Sequence, residues 1–141
     1  MGEKLRSVVV STSDIDGSLK EAKPIIPQHT IVFVALSDYE EAHYLCAFMN
    51  STIADFVARS YSVGKSFGSP HILDYIKIPL FDKANINHRD LARLSQQCHE
   101  KTAAGIDVSD LEEQIDELAA ELWVLTKEEL KEIKESLEEL K

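Results

Sequence analysis

Thr30-Ile31-Val32-Phe33-Val34-Ala35-Leu36-Ser37-Asp38-Tyr39-Glu40 is the stretch on which the fold turns. Its first half is an unbroken apolar and largely β-branched run of strand length, the pattern of a central strand buried on both faces. Its second half is Ser-x-x-Glu. At that spacing the two side chains can satisfy each other's backbone N–H groups at a helix start. A strand over 28–36 followed by a helix from residue 38 predicts an α+β fold.

Downstream, Ala42, Leu45, Cys46 and Met49 recur at i, i+3, i+4 and i+7, one apolar stripe on a helix over 38–50. Asn50-Ser51-Thr52 interrupts with three poor helix formers, and the stripe resumes at Ile53, Phe56 and Val57, predicting a second helix over 51–61 after a bend. Ile76, Ile78 and Leu80 alternate with Tyr75, Lys77 and Pro79, a half-buried strand near 72–79 that its proline confines to an edge or an end. Upstream, residues 5–12 are β-branched and apolar and run into Asp14, Asp16 and Gly17, a strand and then a turn. Leu91, Leu94, Ser95 and Cys98 share one face of a third helix, which Gly105 ends. Beyond it, Ser109-x-x-Glu112 and Thr126-x-x-Glu129 open two more helices, with seams at Leu111, Ile115, Leu118, Leu122 and at Leu130, Ile133, Leu137, Leu140. The expected architecture is a small sheet (strands near 5–12, 28–36 and 72–79) packed with the helix pair 38–50 and 51–61 and a third helix. An acidic helical pair follows, and the expected division is 1–104 and 105–141.

The chain has 141 residues, about one domain, and a formal charge of −10. That balance argues against a nucleic-acid partner until its distribution is seen. Residues 1–101 hold 11 Lys/Arg against 12 Asp/Glu, a net −1, while residues 102–141 hold 4 against 13, a net −9. With a Debye length of about 8 Å at physiological salt, acid a few nanometres away barely affects a basic loop. No window approaches the ~18 apolar residues of a membrane span, and Met1-Gly2-Glu3-Lys4-Leu5-Arg6 is not a secretory leader. A cytoplasmic setting is expected. The match of Asn50-Ser51-Thr52 to a glycosylation acceptor is then accidental. Cys46 and Cys98, on apolar helix faces, read as buried free thiols.

Catalytic patterns fail on inspection. Gly64-Lys65-Ser66 imitates the end of a phosphate-binding loop, but that motif needs a glycine at position 59, which is Arg. Asp14 or Asp16 with Glu21-Ala22-Lys23 imitates a nuclease metal site on a turn and a polar linker rather than on adjacent strand ends. His43 with Cys46, and Cys98 with His99, do not supply the four converging ligands of zinc. No motif marks a nucleophile. The chain reads as non-catalytic, with no catalytic, cofactor-binding or metal-binding residue assigned.

What remains is the loop after the second helix, running from Arg59 through Tyr61, Lys65, Ser66 and Phe67 to His71 and on to Lys77. It mixes cations, aromatics and small residues, and loops held by regular elements are where binding function concentrates. Its surroundings are similar to a known pattern. Leu45-Cys46-Ala47-Phe48-Met49-Asn50-Ser51-Thr52-Ile53-Ala54-Asp55-Phe56 resembles the Leu-Leu-x-x-Leu-Asn-Ser-x-x-x-x-Phe helix pair of DNA target-recognition domains. His71-Ile72-Leu73-Asp74-Tyr75-Ile76-Lys77-Ile78-Pro79-Leu80 is similar to that family's Leu-x-Asp-Ile-x-Ile-Pro strand. The stretch from Ile115-Asp116 through Leu122-Trp123-Val124-Leu125-Thr126 to Glu129-Leu130 looks like its C-terminal signature. The family is the TaqI-like specificity domain of N6-adenine DNA methyltransferases and combined restriction–modification enzymes, and the resemblance covers about residues 25–140.

The resemblance implies a DNA sequence-recognition part, positioning double-stranded DNA for methylation or cleavage done elsewhere. The family's Asn-Pro-Pro-Tyr motif and its glycine-rich cofactor site are absent, so the chain reads as a fragment or a separate subunit. S-adenosylmethionine is expected only of the parent enzyme. Arg59, Tyr61, Lys65, Ser66, Phe67 and Lys77 are the DNA-contact candidates. A methyltransferase catalytic domain or subunit is the expected protein partner. The alternative is a protein-interaction module acting through the acidic helices without touching DNA, with a homo-oligomer through 109–141.

Overall fold

The structure, a computed structural model, describes residues 4–10, 31–61 and 74–139. These residues form five helices, α1 (Tyr39–Asn50), α2 (Thr52–Tyr61), α3 (Ile86–Ala103), α4 (Ser109–Leu122) and α5 (Lys127–Glu139). None of them is in a strand. The expected α+β fold is therefore corrected to an all-helical one, with no sheet among the described residues. No helix among them is long and apolar enough to cross a membrane.

Each expected strand fails for its own reason. In residues 5–10 the alternate backbone N–H groups that a ladder would use are taken by helix side chains. Leu5 donates to Asp55 Oδ1 at 2.9 Å, Ser7 to Asn50 Oδ1 at 2.9 Å and Val9 to His99 Nε2 at 3.1 Å. Asn50 Nδ2 in turn donates to the Ser7 carbonyl at 2.8 Å. Residues 31–36 belong to no regular element and are not interior, with Ile31 60% and Phe33 66% exposed. Their composition suits a central strand, but no neighbouring strand among the described residues pairs with them. Near residue 77 the Ile78 N–H closes back on the Ile76 carbonyl at 3.1 Å, a three-residue turn with Lys77 at its centre that removes a ladder donor. Ile76 is buried there as expected, but Leu80 is 91% exposed. The remainders of these strands, 11–12, 28–30 and 72–73, lie outside the described residues.

The helices build the core largely from the stripes read in the sequence, except on α1. There His43, Tyr44, Cys46, Ala47 and Phe48 are buried, while Ala42, Leu45 and Met49 of the expected stripe are only half-buried. Tyr44 and Phe48 of α1, Leu91 and Leu94 of α3, Leu111, Ile115 and Ala119 of α4, and Leu130 of α5 form one buried cluster. That cluster draws on both sides of Gly105. Leu130 and Leu137 are buried and Ile133 packs against the same core, so the α5 stripe is covered by this chain itself. Leu140 lies outside the described residues.

The Asn50-Ser51-Thr52 bend is a joint in which each residue has a separate task. Asn50 holds the extended segment. Ser51 Oγ donates to the Phe48 carbonyl at 2.7 Å and accepts from the Ala54 N–H at 3.2 Å, closing α1 and opening α2. Thr52 gives its N–H and its hydroxyl to Asp116 of α4, at 2.7 and 2.6 Å. Asp116 is buried, with Lys134 Nζ of α5 at 3.4 Å and the positive end of α2 sharing its charge. The bend is thus locked by the acidic helices.

Candidate nucleic-acid interface

The expected DNA-contacting loop leaves α2 at its last residue, Tyr61, and the described chain resumes at Asp74. Lys65, Ser66 and Phe67 lie outside the described residues. The two sides of the excursion meet. The Tyr61 and Tyr75 rings stack with centroids 4.3 Å apart and planes 6° from parallel, and the two residues are 62% and 55% exposed. A pair this open keeps an outer π face in solvent. Offset-stacked rings gain about 0.5–1.5 kcal/mol beyond burial, enough to hold a loop base together.

Lys77 sits at the tip of the three-residue turn just after Tyr75 and is exposed. Its carbonyl accepts from Trp123 Nε1 at 2.6 Å, tying that turn to the end of α4, while Ile76 is buried against Ala54 and Ala58 of α2. The backbone beneath Lys77 is therefore fixed and its ammonium is left to solvent. The end of α2 and the turn after Tyr75 thus bring Tyr61 and Tyr75 together, with Lys77 two residues further along the chain.

Arg59 is placed differently. Its Nε donates to Asp55 Oδ2 at 3.0 Å across one helical turn, and both side chains are largely buried, at 11% and 6% exposure. Asp55 also accepts the Leu5 N–H, so the Arg59–Asp55 pair anchors the extended segment. Arg59 borders a groove between α2, α4 and α5 that also carries Glu112, Glu113 and Asp116. A phosphate would be repelled there. The geometry gives Arg59 a structural task.

Sequence reasoning missed Tyr75 as a site residue. The signal was its alternation out of phase with buried Ile76, which marked it as outward-facing, but only the structure pairs it with Tyr61.

A second polar cluster lies between α1 and α3. His43 Nδ1 and Ser95 Oγ are 3.0 Å apart, the His43 and His99 rings are 4.9 Å apart edge-on, and His99 Nδ1 lies 2.7 Å from the Ser95 carbonyl. Burial pushes the Cys46 thiol up, but hydrogen bonds with His99, Ser95 and Ser7 outweigh it and hold the thiol below its ordinary value. Cys46 is buried, Cys98 half-buried, and both are free. Among the described residues no three His, Cys, Asp or Glu side chains are grouped to hold a metal ion. The cluster secures helix packing and, through His99, the Val9 N–H.

Compared with protein-family models, with curated proteins and with solved structures, the chain gives no significant match.

Proposed function

We propose that this chain is a DNA-recognition module whose contact surface is the excursion between Tyr61 and Tyr75, with the chemistry on DNA carried out by another domain or subunit. The observation that carries the reading is the Tyr61–Tyr75 stack, which joins the two ends of a segment suited to polyanions. Between the two rings the sequence carries Lys65 and His71 against one acid, Asp74, in a chain with 25 acidic residues. Lys77 adds an exposed cation on a fixed turn beside it. The order of motifs, resembling a target-recognition domain of an adenine methyltransferase, supports the same reading. In this reading Lys65 and Lys77 neutralise phosphates, and Ser66 and Phe67 are the further contact candidates.

Fluorescence anisotropy of labelled duplex DNA at two salt concentrations tests it. Lys65→Ala lowers the slope of log affinity against log salt by about one. An unchanged slope and affinity would remove Lys65 from the contact surface, and no binding at low salt would defeat the reading.

A second reading, docking on a larger polypeptide such as a methyltransferase subunit, is favoured by the apolar run at 31–36, which is exposed along its length. It is compatible with the first. The acidic helices supply less support for a homo-oligomer, because Leu130 and Leu137 already lie in the chain's own core. Sedimentation of the intact chain at increasing concentration checks this, and a monomer throughout is expected.

A further inference from the structure

From the exposed tyrosine pair we infer that Tyr61 and Tyr75 form a stacking platform for the base of an unpaired nucleotide, with Lys77 taking that nucleotide's phosphate. The inference rests on the DNA reading above and narrows it to a nucleotide taken out of the duplex stack. Two observations carry it. First, the rings lie 4.3 Å apart and within 6° of parallel, so each covers one face of the other, and the exposures of 62% and 55% leave outer faces free for a third planar ring. Every nucleobase has such a π face, and aromatic side chains bind unstacked bases through it without demanding a particular sequence. Second, Lys77 is exposed two residues along the chain from Tyr75, on a turn whose backbone Trp123 holds, which keeps a flexible cation within a short stretch of the platform. A flat aromatic face with a cation two residues along the chain corresponds to the two halves of a nucleotide. Asp74, the acid nearest the rings in sequence, has a contact of its own.

The platform also suits its position. An apolar pair serving only to close a loop is best buried. This one is left open, with both rings more than half exposed.

The test uses the intact chain and two duplexes, one fully paired and one carrying a single bulged 5-iodouridine. Anisotropy gives the affinity for each, and irradiation cross-links the iodinated base to an aromatic ring in contact with it. The expected result is tighter binding of the bulged duplex, a photo-adduct on the peptide holding Tyr61 or Tyr75, and loss of that preference by about tenfold in Tyr61→Leu and Tyr75→Leu. Tyr61→Phe and Tyr75→Phe keep the π faces and retain the preference, which separates stacking from any role of the hydroxyls. Lys77→Ala weakens binding of the bulged duplex and lowers its salt slope. Equal affinity for both duplexes with no adduct on either tyrosine would overturn the platform while leaving the DNA reading standing. Failure to bind either duplex would overturn both.

Discussion

Val124 and Gly105 occupy the same place at the ends of two helices, with opposite chemistry. Each follows a C-cap and adopts a left-handed backbone, with φ of 58° at Val124 and 72° at Gly105. At α3, Gly105 donates to the Thr102 carbonyl and Ile106 to that of Lys101. At α4, Val124 donates to Glu121 and Leu125 to Ala120. Both are the double hydrogen-bond closure that satisfies orphan carbonyls. Glycine adopts that backbone freely, whereas a β-branched valine is strained there by about 1–2 kcal/mol. Val124→Gly is therefore expected to raise stability by about 1 kcal/mol, and Gly105→Ala to lower it by a similar amount, both read from urea unfolding. A Cβ at Gly105 would meet nothing within 4 Å, so that cost is purely conformational.

His88 supplies a pH test at the same scale. Burial holds its imidazole below the ordinary value, against the opposing charge of Asp82, and its Nδ1 accepts the Asp82 N–H at 3.0 Å. The unfolded chain takes up this proton near pH 6.5, before the folded chain does. The stability it contributes is thus complete above that pH and is lost as pH falls through the lower folded value. Melting temperature should drop between about pH 7.5 and 5.5, and His88→Gln should flatten that drop. Of the residue-scale signals, Gly105 was legible because glycine at a helix end carries its own reason, whereas nothing in a valine announces a positive φ. The capping boxes were legible only as candidates. Thr126 and Glu129 form one, with the Thr126 N–H 2.7 Å from Glu129 Oε2 and the Glu129 N–H 3.2 Å from Thr126 Oγ1. At α1 the cap is Asp38 instead of Ser37, accepting from Glu40 and Glu41, and Ser109 turns to Asp107.

Among elements, the extended segment at 5–10 shows most plainly what periodicity cannot reveal. Its alternation is real, with residues 5, 7 and 9 half-buried and 4, 6, 8 and 10 exposed. A two-residue period identifies an extended chain but not what it lies against. Here the partners are side chains 50, 43 and 90 residues away, on three helices. Asn50→Ala removes both bonds to Ser7, so the Ser7 amide should exchange with deuterium at least about tenfold faster, one lost bond of ~1.4 kcal/mol, while α3 amides hold their rate. Unchanged exchange would mean that Asp55 and His99 hold the segment without it. The helix bounds were legible almost to the residue, but the inward face of α1 was not: Tyr44, Ala47 and Phe48 are buried there while Ala42, Leu45 and Met49 are only half-buried.

At the scale of the whole molecule, charge and packing divide the chain differently. The acid concentrated after residue 101 suggests an appendage, yet its apolar face completes the core through Leu111, Ile115, Ala119 and Leu130. Net charge describes surfaces and is silent about what the opposite face of a helix covers. Leu130→Ala should cost about 2–5 kcal/mol, and the loss should appear equally in Trp123 fluorescence and in helical dichroism, as one cooperative transition. A chain ending at Val108 would leave Tyr44, Phe48 and Leu94 uncovered and should not fold. The segment between Tyr61 and Tyr75 is legible as composition alone, since its ends are brought together by a ring contact between residues on either side of it.

That ring contact has one more consequence. Closing a loop of chain costs entropy that grows only with the logarithm of its length, about 0.6 kcal/mol for each doubling. With Tyr61 and Tyr75 already side by side, the helical body is nearly indifferent to how many residues run between them. The sequence between these anchors can therefore change in length at little cost to the scaffold that carries it.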